Sequence, residues 1–210
     1  EGVSLDGKTL RGSRKQGAAA SHLLSALSHR LGLTLGQLGV DDKTNEIGVA
    51  PELLADLVIE GRVFTMDALL TQREIAQTIV EGNGDYVMIA KDNQPTLRSD
   101  IALLFTDPNA AEFVEDQAST SNKGHGRLEV RTLQTSSALN DYVAWPGLQQ
   151  VFRLDRHVTI LKTGEVRAET VYGLTSLSAQ RANASQLLTL ARGHWNIENR
   201  SHWVRDVTFG

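Results

Sequence analysis

The chain has 210 residues, 40% of them hydrophobic, with a formal net charge of −4 and no cysteine. That length supports one sizeable core with an inserted subdomain, and the lack of thiols excludes a disulfide framework or a thiolate metal site, as expected of a cytoplasmic protein. No apolar run approaches the roughly 20 residues that span a bilayer and no secretory signal opens the chain, so no membrane partner is expected. The acidic balance excludes bulk attraction to nucleic acid and leaves that task to local basic clusters.

Residues 3–10, 22–28 and 33–40 are short apolar or alternating runs separated by turn residues, which predicts a meander of three antiparallel strands. The leucines of PELLADLVIEG recur at helical spacing, predicting a helix from Pro51 that stops at Gly61. Next come a buried strand over 62–66, a helix in TQREIAQTIVEGNG capped by Thr71 and ending near Gly82, a buried strand in DYVMIAK, and a helix beginning beside Pro95. Strand, helix, strand in this order predicts a parallel βαβ unit. Residues 109–126 are polar and read as a mobile loop. RLEVRTLQT, QQVFRLDRHVTIL and EVRAETVYGLTSL read as antiparallel strands, the last two turning at 162–164. The closing stretch from Ser178 reads as helical with Ser178 as its cap, and the abrupt strand-like start and untailed end suggest a piece of a longer protein. The plan is that of an α/β, ribonuclease H-like mixed sheet flanked by helices, with a β-rich insertion before the last helix.

Three acidic residues stand in distinctive settings. Asp6 ends a strand-like run and precedes Gly7, which lets the chain turn sharply, although Asp-Gly is also a common turn pair. Asp67 directly follows VFTM, at the carboxyl end of a predicted parallel strand where open α/β sheets bind ligands. The competing role for Asp67, capping the next helix, is better served by Thr71. Glu198 has His194 and His202 four residues to either side, so on a helix the three would share one face, while Trp195, Ile197 and Trp203 would help to bury another. That trio could also hold zinc with a further ligand, which no context around His22, His29, His125 or His157 marks, or the histidines could be satisfied core groups. Three carboxylates are hard oxygen ligands that suit a pair of Mg²⁺ or Mn²⁺ ions, and such a pair promotes in-line displacement at phosphorus. Basic residues gather beside them: Lys8, Arg11, Arg14 and Lys15 after Asp6, Lys123 and Arg127 in the middle, Arg192, Arg200 and Arg205 around Glu198. Any one of these clusters alone reads as a solvated face.

Eight segments in order carry a family resemblance: DGKTLRGS at 6–13, HLLSAL at 22–27, VDDKTNEI at 40–47, PELL at 51–54, TMDAL at 65–69, GDYVMIAKDNQPTL at 84–97, GHGRLEVR at 124–131 and ARGHWNIENRSHWVRDVTF at 191–209. The chain resembles bacterial insertion-sequence transposases of the ISAs type, the H-repeat-associated proteins of the DDE superfamily. The resemblance implies that Asp6, Asp67 and Glu198 are catalytic and hold two Mg²⁺ or Mn²⁺ ions, and that 109–175 form the β-rich insertion in a core over 1–108 and 176–210. It implies hydrolysis at the ends of a mobile element, strand transfer into target DNA, double-stranded DNA as partner, a homo-oligomer on that DNA, and action at the bacterial nucleoid. Lys91, Asn93 and Gln94 match a family segment that usually has Gly where this chain has Asp92, and Ser201 replaces a common Leu. Lys8, Arg11, Lys91, Asn93, Gln94, Arg127 and Arg200 are the expected DNA contacts, which would position the duplex without reading its sequence. Two alternatives stand beside this: a DNA-binding remnant without catalysis, and a zinc hydrolase using His194, Glu198 and His202.

Overall fold

A computed structural model describes residues 1–9, 21–40, 45–107 and 109–194. The protein is mixed α/β and divides into two compact units, Glu1–Met88 together with the chain from Leu190, and Ile89–Thr189. Among the described residues no helix is long and apolar enough to cross a membrane.

In the first unit, β1 (Gly2–Thr9), β2 (His22–Ser28) and β3 (Thr34–Val40) form the expected antiparallel meander. β4 (Val63–Met66) joins the other side of β1 in parallel, and β5 (Asp85–Ala90) pairs in parallel with β4, giving the order β3-β2-β1-β4-β5. Register places Phe64 beside both Val3 and Tyr86, and Leu5 beside Met66, so alternate positions build one apolar face whose side chains are fully buried. The opposite face carries Ser4, Ser25 and Thr65, also buried although polar.

Helix α1 (Glu46–Ala55) packs on β2 and β3 and against α2 (Arg73–Glu81). Its start corrects the expectation at Pro51. Asn45 is the cap, its side chain accepting from the Gly48 N–H, and Pro51 lies inside the helix. There it forgoes a backbone hydrogen bond to the Ile47 carbonyl, a cost the Asn45 cap and Glu46 in the first turn help to offset. The helix also stops at Ala55, short of Gly61, which adopts φ +69° in the turn before β4. Thr71 is not the cap of α2: that position is Gln72, without a side-chain cap bond, and the Thr71 hydroxyl donates to the Asp67 carbonyl. Gly82 closes α2 as expected.

The second unit holds α3 (Pro95–Thr106), which begins at its proline, and strands β6 (Asp116–Gly124), β7 (Arg127–Ser136), β8 (Gln150–Ile160) and β9 (Val166–Thr175). These strands are antiparallel in the order β9-β8-β7-β6. The loop expected over 109–126 is thus largely a strand. β6 pairs with β7 through a two-residue turn at His125 and Gly126, both with positive φ (48° and 73°), the mirror-image turn that matches strand twist. The hairpin at 162–164 is present, with Gly164 at φ +72°. Helix α3 packs on β8 and β9, and Leu97, Ile101, Phe105, Leu133, Phe152 and Leu174 are buried within this unit. Residues 161–170 are all exposed.

Helix α4 runs over Ala184–His194, so Ser178 does not cap it. Asn183 Oδ1 accepts from the Gln186 N–H and Gln186 Oε1 accepts from the Asn183 N–H, both at 3.0 Å, a reciprocal box that satisfies two helix-start donors. Asp116 Oδ2 takes a third, from Ala184 N at 2.7 Å.

Candidate active site at the carboxyl end of the parallel strands

The last parallel pair between β1 and β4 is Leu5 with Met66, and the next residue on each strand is an aspartate. Asp6 and Asp67 therefore come at matching positions on neighbouring strands, which lie about 4.8 Å apart in a sheet. Both are half-buried. Asp6 does not end its strand, as β1 runs on to Thr9 and Asp6 pairs with Ser25. Gly7 makes no turn either. A Cβ there would overlap the carboxylate of Glu46, which is held by His22 Nε2 at 2.7 Å, itself fixed through Nδ1 to Thr9 Oγ1 at 2.8 Å. Glycine at this position lets the first turn of α1 approach β1 closely. Lys8 shares the Asp6 face by alternation and is half-buried.

Asp67 orders the turn that leaves β4, its Oδ1 accepting from Leu69 N at 3.0 Å and Leu70 N at 3.4 Å. The cap-like role that competed with a ligand role at this residue is thus real, and the two share one carboxylate.

The end of α4 lies on the same face. His194 Nδ1 is 3.2 Å from both the carbonyl and the hydroxyl oxygen of Thr65, two residues before Asp67. Ser4, two residues before Asp6, donates to the His194 carbonyl at 3.2 Å. Ser4 Oγ also lies 2.8 Å from His29 Nε2, and the Thr65 hydroxyl donates to it at 3.3 Å. One consistent assignment has His29 donating from Nε2 to Ser4 and His194 donating from Nδ1 to Thr65. Sequence reasoning passed over His29. The available signal was Ser4, Ser25 and Thr65, hydroxyls at inward-facing strand positions that need partners once buried.

Burial, then the adjoining His194, pushes the His29 imidazole down from 6.5 to about 4, with Glu1 acting the other way. Burial also lowers His194, against an opposing pull from Asp67, which places that carboxylate within electrostatic reach of the ring. Between pH 6.5 and about 4 the unfolded chain takes up a proton at His29 that the folded chain refuses. The stability contributed by the neutral ring is complete above 6.5 and lost as pH falls toward 4. We expect roughly 1–2 kcal/mol to disappear across this window, less than the full shift because the ring is only half-buried. Denaturant midpoints measured against pH should show a shallower slope in His29→Gln.

Glu198, and Arg11 and Arg200 among the expected DNA contacts, lie outside the described residues. Among the described residues no three His, Asp or Glu side chains gather as a metal site. In the second unit, Lys91 and Asn93 are exposed in the turn after β5 and Gln94 occupies the cap position of α3. Asp92 stands 4.0 Å from the Arg98 guanidinium. Exposed Arg127 lines a groove of about 430 Å³ with Arg156, Arg167, Val158, Ile160 and Glu169. Arg156 pairs with Glu129 and Glu169, and Arg167 with Glu165, whereas Arg127 forms no ion pair among the described residues. Burial raises the Glu129 carboxyl, but the Arg156 and Arg131 guanidiniums outweigh it and leave the group below its ordinary value.

A mixed sheet flanked by helices thus carries two aspartates where the parallel pairing of β1 and β4 ends. The whole chain, residues 1–210, matches the model of the transposase DDE domain, and it belongs to that family. It is 34% identical over 98% of its length to YbfL of Escherichia coli K12, and 33% identical over 98% to the "H repeat-associated putative transposase YhhI" of the same organism. The chain spans 56% of the length of each of these relatives. Among solved structures, DesVI of Streptomyces venezuelae is similar over 61% of this chain and 49% of its own at 13% identity, with a TM-score of 0.25, too low to bear on the fold.

Proposed function

We propose that this chain is the catalytic core of a DDE transposase. It would cut a phosphodiester at the ends of a mobile element and join the freed 3′ end to target DNA. One observation carries the reading: Asp6 and Asp67 directly follow the last paired residues of two adjacent parallel strands, and the end of α4 packs on the face they share. The strand order β3-β2-β1-β4-β5, antiparallel through β1 and parallel beyond it, supports a ribonuclease H-like core over 1–108 and 176–210, with β6 to β9 as the insertion over 109–175.

The donor set fits hard divalent ions. Asp6 and Asp67 are carboxylates on a rigid sheet, and Glu198 follows His194 by four residues, a stretch that reaches at most about 14 Å. Asp6, Asp67 and Glu198 would together hold Mg²⁺ or Mn²⁺, two ions in all, whose charge when bound would activate the attacking oxygen and stabilise the leaving one. The chain's own part is orientation: the Leu69 and Leu70 amides fix the Asp67 carboxylate, and α4 ends against Ser4 and Thr65 on the face that carries both aspartates. His194 has its Nδ1 engaged with Thr65, which leaves a single ring nitrogen for the zinc alternative. Titrating the protein with Mn²⁺ by electron paramagnetic resonance tests the proposal. Binding that Asp67→Asn removes supports it, and tightly held stoichiometric zinc in the purified protein would replace it.

Double-stranded DNA is the proposed partner, bound by an oligomer, with Lys8, Arg11, Lys91, Asn93, Gln94, Arg127 and Arg200 along its path. Arg127 is the most informative of these because, unlike Arg156 and Arg167 in the same groove, it forms no ion pair among the described residues. Arg127→Ala should weaken duplex binding for all sequences alike and reduce the slope of log affinity against log salt by about 1. An unchanged slope would remove Arg127 from the DNA path.

A further inference from the structure

We infer that His29 is a positioning residue, a spacer that sets how closely the last turn of α4 approaches β1 and thereby where the chain departs toward Glu198. The inference rests on the transposase reading for the role of Glu198, but its geometry stands independently. The ring touches backbone on two sides. A Cβ at Gly2 would come 2.9 Å from the ring Cγ, and one at Gly193 would come 2.6 Å from Cε1, so neither position admits a side chain while the ring is in place.

The ring cannot swing away freely. Its Nε2 is 2.8 Å from Ser4 Oγ and 3.2 Å from Thr65 Oγ1, the hydroxyls that also engage the carbonyl and ring of His194. An apolar ring of similar size would fill the gap but take away the ring donor to Ser4 and Thr65, loosening their bonds to His194, and a smaller polar residue would keep a donor there but let the helix sink. Imidazole does both. The spacer also sits close to the chemistry: Ser4 and Thr65 are each two residues before an aspartate of the proposed site, on the same face.

The test uses the full-length protein with Gly193→Ala, His29→Ala, the double variant, His29→Gln and Asp67→Asn. Two readouts are taken: hydrogen exchange of amides 190–194, and Mn²⁺ affinity. Gly193→Ala introduces a methyl where the ring stands, and His29→Ala removes the ring. Each should speed exchange at the end of α4 and weaken Mn²⁺ binding about tenfold or more, the range seen when groups that orient ligands are lost. The double variant should recover both readouts, since the new methyl occupies vacated space, and His29→Gln should retain part of both by keeping a donor to Ser4. Faster exchange with wild-type Mn²⁺ affinity would make His29 merely structural and overturn the inference, as would wild-type values for both single variants. Wild-type protein that binds no Mn²⁺, or binding that survives Asp67→Asn, would instead sink the transposase site, with exchange at 190–194 still deciding whether His29 spaces the helix. Thermal melting of each variant separates these outcomes from failure to fold.

Discussion

Asp67→Asn should reduce metal-dependent cleavage of duplex DNA by the full-length protein by about 10³-fold or more while leaving its melting temperature essentially unchanged. The asymmetry follows from the two jobs of this side chain. An asparagine Oδ1 can still accept from the Leu69 and Leu70 amides, so the turn after β4 keeps its order. What it loses is the negative charge that a divalent ion requires. Asp67→Ala removes both functions and should cost stability as well, so comparing the two variants separates ligand from cap. Asp6→Asn should behave like Asp67→Asn, since its register position is equivalent. Cleavage at the wild-type rate by either asparagine variant would take that residue out of the site.

Phe64→Ala, three residues earlier and within β4, should do the opposite and act through stability. Phe64 is fully buried between Val3 and Tyr86 in the register of β1, β4 and β5. Truncation removes its apolar surface from the core and leaves a cavity that the flanking strands cannot close without losing their pairing, a loss of about 3–5 kcal/mol. Denaturant titration reads this directly. A loss below about 1 kcal/mol would mean that the sheet can repack around the gap, contrary to its packing here.

The elements with strong apolar periodicity were legible from sequence. The meander, β4, β5, α2 and the paired strands β7 to β9 fall close to where alternation and turn residues put them. The misreadings share a cause, in that the decisive interaction was not periodic. Pro51 fits the pattern of a helix start, but the start was set by a single Asn45 side chain, and helix propensity carried the proline inside. Ser178 is a good cap in isolation, yet Asn183 and Gln186 form the better one. At the site, the positions of Asp6 and Asp67 were readable from the strands they follow. The reason for Gly7 was not, because it depends on Glu46, which is far away in sequence. His29, weighed only as a zinc ligand, was missed for the same reason, its partners lying at Ser4, Thr65 and the end of α4.

β6 is the largest of the missed elements, and what hid it also explains its composition. DQASTSNKG has no apolar face, and nearly all of its residues are exposed. It forms the outer edge of the antiparallel strands, where one row of backbone donors and acceptors faces water. A strand of valine and isoleucine there would present a ready template to any other extended chain, including a nascent copy of itself. Polar side chains on both faces, with Lys123 near the tip, make such an addition unrewarding, since a newcomer would bury almost nothing. The strand that adds least to the core is thus the one that ends the sheet, and replacing its serines and threonines with β-branched apolar residues should make the protein associate through this edge.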